Sequence, residues 1–141
     1  MVGDGDQVQE RKVKLTLPTD STVRKSYPLY SGVRKYFPAA LAGVAMHSQL
    51  GNDKHNPGEP LHHARGKSMD HEDCIDRHLT DLADLRAELE RYDEQHDHVD
   101  YDALKAMILT EANALCWRAL ALSQKLHEEL DDAPLAPGAS E

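Results

Sequence analysis

Aromatic residues make up only 5% of the 141 positions, with one tryptophan and one phenylalanine. So few large rings give a single-domain chain little bulk with which to close a core by itself. Cysteine is nearly absent. Cys74 and Cys116 lie far apart and outside any CxxC spacing. That excludes a zinc ribbon and a disulfide framework, and fits a reducing cytoplasm. Long apolar runs are missing too. The longest, Ala39 to Met46, is far short of the roughly 20 residues a membrane span needs, so no membrane partner is expected. No charged-then-apolar leader opens the chain, and nothing points to export. No internal repeat, GxGxxG or GxSxG is present. Gly66-Lys67-Ser68 echoes the end of a Walker loop, but Leu61 stands where its first glycine belongs and no strand precedes it.

Cations are scarce in most of the chain. Residues 1–36 hold seven Lys/Arg against four Asp/Glu, whereas the remainder holds nine against twenty-one, for a net charge of −9 overall. A protein that wraps a duplex needs many cations against phosphates. The acidic body therefore argues against nucleic acid as a partner. A small anionic substrate remains compatible if metal ions stand between it and the carboxylates.

What is present is helical periodicity, and the expected fold class is all-α. Residues 1–23 read as a polar tail and a short extended arm, because Lys12 to Leu17 alternates polar and apolar and Pro18 stops it. Residues 18–32 carry turn residues. A first helix begins near Gly32 or Pro38 and ends near Leu50, with the stripe Val33, Phe37, Leu41, Val44 and Ser48; Gly51-Asn52 suits its exit. Asn52 to Lys67 reads as a long loop, a kind that is usually functional or disordered. A second helix is predicted from Ser68 to about Tyr92 with the stripe His71, Ile75, His78, Leu82, Leu85 and Leu89. A third runs from about Asp100 to Glu129 with Leu104, Ile108, Glu111, Leu115, Ala119, Leu122 and Leu126. Residues 24–130 thus form the helical domain, and 131–141 are expected to lack structure. Three such helices make a thin core, so a homo-oligomer, dimer or tetramer, is expected.

Six of the nine histidines, His47, His55, His62, His63, His71 and His78, fall in one window with Asp53, Asp70, Asp73 and Asp76. Imidazole with carboxylate suits transition metals, and carboxylates alone suit Mg or Mn. The plainer alternative is a polar loop plus core histidines. Asp70 and Asp73, three apart, would project side by side on a helix and hold one cation, or else simply favour the helix N-terminus. Asp73 and Arg77, four apart, would pair on that face. Glu111 interrupts an apolar stripe, so it must bind metal, reach solvent or find a cation such as Arg77. The single His-Asp dipeptide, His96-Asp97, falls in a charged connector. Lys54, His55, Arg65 and Lys67 precede an acidic helix start, where backbone N–H groups favour phosphate.

The segments Tyr27-Pro28-Leu29-Tyr30-Ser31-Gly32-Val33, Lys35-Tyr36-Phe37-Pro38-Ala39-Ala40-Leu41-Ala42 and Gly51-Asn52-Asp53-Lys54-His55-Asn56-Pro57-Gly58 resemble the phage dATP/dGTP diphosphohydrolases of the MazG-like group. Arg65-Gly66-Lys67-Ser68, Asp73-Cys74-Ile75, Arg77-His78-Leu79 and Trp117-Arg118-Ala119-Leu120-Ala121-Leu122 extend the resemblance over about residues 24–128. The group includes the MazZ enzymes of phages that replace adenine with 2-aminoadenine. The resemblance implies an oligomeric all-α bundle in the cytoplasm of an infected host cell. It implies hydrolysis of dGTP, and of dATP as a possible second substrate, to the monophosphate and pyrophosphate with two or three Mg2+ or Mn2+ ions. Members hold metal through ExxE on one helix and ExxD on the next. Asp70-x-x-Asp73 stands for the second motif, while Gly43 and His47 occupy the plausible places of the first. Glu111, His47, Asp53 or His55 would supply the remaining donors. Substrate contacts would come from Lys35, Asn52, Lys54, His55, Asn56, Arg65, Lys67 and Arg77, with Asn52 or Asn56 reading the guanine edge. Two rivals stay open: an HD-like triphosphohydrolase, which would release triphosphate, and a non-enzymatic helical interaction module. On the resemblance, Asp73→Asn abolishes turnover and leaves the fold intact; wild-type rates in a nucleotide-hydrolysis assay would remove Asp73 from the site.

Overall fold

Among the described residues of the computed structural model, 13–67, 69–92 and 98–139, every regular element is helical. Helix α1 (Ser21–Lys25) is a single turn that starts where the Asp20 side chain accepts the Val23 N–H at 3.0 Å. A π-helical turn covers Leu29–Arg34. Helix α2 spans Pro38–His55, α3 His71–Arg91 and α4 His98–Leu130, with a 3-10 turn at Arg65–Lys67 between α2 and α3.

Three boundaries depart from the sequence reading. Residues 18–32, read as turns, include α1 and the start of the π-helical turn. Helix α2 runs five residues past Leu50, because Gly51 stays helical and the residue that takes a positive φ is Gly58, at +78°. Helix α3 begins at His71, with Asp70 just outside it, and Ser68 lies outside the described residues. The arm forms no strand over residues 13–17; Lys14 instead pairs with Asp132.

Helix α4 is the spine, and it packs against both α2 and α3. Contacts fix the directions. His71 meets Arg118 and His78 meets Glu111, so α3 runs antiparallel to α4. Gly43 lies against Asn113 and His47 against Trp117, so α2 runs parallel to α4. The approach at Gly43 is close: a Cβ there would sit 2.2 Å from the Asn113 side-chain oxygen. At the far end of the α3–α4 pair, Tyr92 and Tyr101 meet with ring centroids 5.4 Å apart.

The core is as thin as the composition implies. Cys74, Leu104 and Ala114 are the buried apolar residues among those described. Leu29, Tyr30, Tyr36 and Phe37 are all exposed, as are Leu109, Leu120 and Leu130 along α4. An apolar groove beside Ile75, Leu122, Leu126 and Leu130 is also open. No helix of the described residues is long and apolar enough to cross a membrane. Leu104, 8% exposed, is the largest apolar side chain in that core. Leu104→Ala should lower stability by about 2–5 kcal/mol, read from the shift in a urea midpoint.

Candidate functional site

The facing surfaces of α3 and α4 carry polar groups two turns apart, and each finds a partner across the interface. Glu111 accepts from the His78 Nδ1 at 2.9 Å, with both side chains largely buried. One heptad along, an Arg118 guanidinium nitrogen lies 3.3 Å from the His71 Nδ1. Trp117, on the neighbouring face of α4, meets the His47 ring at 6.0 Å and the edge of His63 at 5.2 Å. His63 is held in turn by the Ser48 hydroxyl at 2.8 Å. The guanidinium of Arg118 also lies over the Trp117 ring, 5.6 Å from its centroid.

These groups border a cavity of about 350 Å³ between the α2–α3 loop, the start of α3 and the second half of α4. His63, His71, Trp117, Arg65, Arg118 and Lys125 line it, together with the carboxylates of Glu128 and Glu129 and several apolar side chains. The volume is of the size that holds small ligands. Arg118 is half-buried and has no carboxylate partner among the described residues. Lys125 has only a loose pairing, 3.9 Å from Glu129. Burial pushes the His71 imidazole below its ordinary pKa, and the Arg118 and Lys125 charges add to the effect. His63 is lowered by burial and by the charges of His62 and His55, and His47 by burial and then by His78, Arg118 and His63, against an opposing pull from Glu111. All three imidazoles therefore favour the neutral form.

The residues singled out from sequence divide into those this arrangement gathers and those it does not. Arg65 and His47 join the cluster, the former in the cavity wall and the latter against Trp117. Asp70 is exposed and accepts from Arg77 at 2.9 Å, a hydrogen bond that lowers its pKa. Arg77 therefore pairs with Asp70, where Asp73 or Glu111 had been expected. Asp73 is exposed in the first turn of α3. Asp53, also exposed, accepts from Gln49. Lys54 and His55 are exposed in the last turn of α2, and Lys35 is exposed after the π-helical turn. The Lys67 side chain and His96-Asp97 lie outside the described residues.

The Asn52 and Asn56 amides are engaged within the chain. Asn52, 2% exposed, donates to the Glu59 carbonyl and accepts from the His62 N–H and the Asn56 amide. Asn56 also donates to the His62 carbonyl. The pair ties the loop 56–62 to the end of α2, which is how the loop delivers His63 to Trp117.

Among the described residues, no three His, Cys, Asp or Glu side chains stand where they would share one cation. Asp70, Glu111 and Asp53 each face a partner of their own. The expected donors for Mg2+ or Mn2+ therefore do not converge on one point within a single chain. Sequence reasoning missed Trp117 and Arg118 as cavity groups. The available signal was an Arg next to the only Trp on a helix whose other polar interruption, Glu111, lies one heptad before Arg118.

No family model, curated protein or solved structure matches the chain.

The three lowered imidazoles predict a pH dependence. A histidine whose folded pKa lies below its unfolded value, about 6.5, contributes stability that is fully present above that value and is lost as pH falls through the folded pKa. Tm should fall between pH 7 and pH 5, and His71→Gln should flatten that decline in a series of thermal melts; an unchanged slope would mean that His71 carries no part of it.

Proposed function

We propose that the chain binds a purine deoxynucleoside triphosphate in the Trp117–Arg118 cavity and hydrolyses it to the monophosphate and pyrophosphate. The observation that carries this reading is Arg118, a half-buried cation in a cavity wall, beside the only tryptophan and without a carboxylate partner among the described residues. A guanidinium in that situation is an anion site, and an indole beside it suits a flat heterocycle. The resemblance over residues 24–128 names the substrate class: dGTP, with dATP as a second substrate.

The roles follow from the contacts. Arg118 and Lys125 neutralise phosphate oxygens. Where Arg118 donates toward the Nδ1 of His71, the ring proton sits on Nε2, and the neutral imidazole can donate it to a phosphate oxygen. Water attacks phosphorus, and the bond between the α- and β-phosphates breaks, with pyrophosphate leaving. Mg2+ or Mn2+ would enter as part of the substrate, already complexed to the triphosphate. Asp70, Glu72 and Asp73, next to the lining residue His71 in sequence, are the carboxylates at that end of α3. The dGMP released would feed synthesis of a 2-aminoadenine nucleotide in a phage-infected cell. The exposed apolar faces of α4 and of residues 29–37 favour a homo-oligomer, since three buried apolar residues among those described leave most of the helices' apolar surface uncovered. The same faces would serve the alternative reading, a helical interaction module without turnover.

Incubation of the protein with dGTP and Mn2+, followed by chromatography, should yield dGMP and pyrophosphate, and Arg118→Met should weaken dGTP binding at least ten-fold without a change in helical content. Deoxyguanosine with triphosphate would replace this reading with the HD-like one, and no turnover of any nucleotide would leave the interaction module.

A further inference from the structure

The C-terminal segment was expected to lack structure, yet it folds back over the end of α4. Asp132 leaves the helix with a φ of +52°, and the Ala133 N–H returns to the His127 carbonyl at 3.2 Å. From there the chain crosses to the α2–α3 loop and is fastened by Arg65. The Arg65 backbone N–H donates to the Gly138 carbonyl at 3.1 Å, and its Nη1 donates to the Ala136 carbonyl at 3.0 Å. Its Nη2 pairs with Glu128, whose side chain is 6% exposed. Glu128 accepts further bonds from Gln124 and from the Ala136 N–H, each at 2.9 Å. The Arg65 hydrogen bond in particular holds the Glu128 carboxyl down to about 2, with the Ala136 and Gln124 bonds adding to the effect against the cost of burial. At the far point, Gly138 has a φ of +82°, and a Cβ there would lie 2.0 Å from the His63 carbonyl oxygen. No other residue fits that crossing without moving the backbone.

Two consequences bear on the cavity. Arg65 lines it, but its guanidinium is engaged by Glu128 and Ala136, which leaves Arg118 and Lys125, the latter 3.9 Å from the lining carboxylate Glu129, as its remaining cations. The segment itself contributes Leu135 and Ala139 to the lining, which joins Trp117, Ala121 and Met69 in an apolar surface.

We propose that residues 133–139 are a specificity wall that packs on the heterocycle of the bound nucleotide, with Arg65 and Glu128 as the positioning residues that hold the wall in place. The proposal rests on the nucleotide reading given above and divides the ligand in two. The phosphates go to Arg118 and Lys125 and owe nothing to the wall. The ring lies between Trp117 and the wall and depends on it. An inorganic polyphosphate, which has no ring, should not sense the wall's removal.

Trp117, the only tryptophan, gives a fluorescence readout inside the cavity. The full chain, a chain ending at Leu130 and Gly138→Val are titrated with dGTP and with tripolyphosphate, and far-UV circular dichroism checks the helices of each. The expected result is a loss of ten-fold or more in dGTP affinity for both altered chains, with tripolyphosphate affinity unchanged within about two-fold or tighter. Undiminished dGTP affinity in helical altered chains would overturn the wall while leaving the nucleotide reading standing. An equal loss for both ligands would also overturn it, since a segment that merely supports the cavity affects both alike. If the full chain binds neither ligand, the nucleotide reading fails and the wall goes with it.

Discussion

The register of α3 on α4 is set by polar pairs, and the site follows from it. Glu111 and Arg118 lie one heptad apart on α4, and His78 and His71 lie one heptad apart on α3. On antiparallel helices this spacing brings both pairs into contact at once. A slip of one turn would leave a carboxylate or a guanidinium facing an apolar stripe, at the cost of an unpaired polar group removed from water. With Cys74, Leu104 and Ala114 the only buried apolar residues among those described, apolar packing alone selects the register weakly. The polar pairs supply specificity that a larger core would otherwise provide. Once the register is fixed, Arg118 and Trp117 take their places beside the loop that carries His63.

The helical architecture is legible in the sequence because it rests on period. The stripe from His71 to Leu89 is buried or half-buried throughout, as the spacing requires. Boundaries depend on individual side chains and are harder to read. Gly51-Asn52 has the composition of a helix exit, but Asn52 is buried and bonded to Glu59, His62 and Asn56, so it binds the loop to the helix rather than ending the helix. The tail shows the same limit. Residues 131–141 have the composition of a free end, yet the distant partner Arg65 captures 133–139 through bonds to Ala136 and Gly138, the nearer of them 71 positions away in sequence. No local pattern encodes such a contact.

The candidate site was legible in its chemistry and less so in its membership. The sequence pointed to histidines, carboxylates and loop cations between residues 47 and 78. The structure gathers His47, His63, His71 and Arg65 from that window and joins them to Trp117, Arg118 and Lys125 of α4. The resemblance gives Asp70 and Glu111 one task, holding metal. They are occupied by different partners, Arg77 and His78, which are adjacent in sequence but point from α3 in different directions. A one-dimensional reading ranks residues by type and period, whereas membership in a site depends on which helices adjoin.

The charge distribution gives the cavity its sense. The chain is acidic overall, at −9, and a polyphosphate would be repelled from most of its surface. At the cavity the balance differs locally. The carboxylate of Glu128 is neutralised by Arg65, and burial shifts the neighbouring histidines toward the neutral form. What remains is Arg118, unpaired with any described carboxylate, and Lys125, whose charge is partly offset by Glu129 in the same wall, 3.9 Å away. Two cations set into a partly buried wall, with an indole beside them, act in a lower dielectric than surface lysines do. A chain that is acidic overall can therefore present a local site for a small anion without becoming a general polyanion binder.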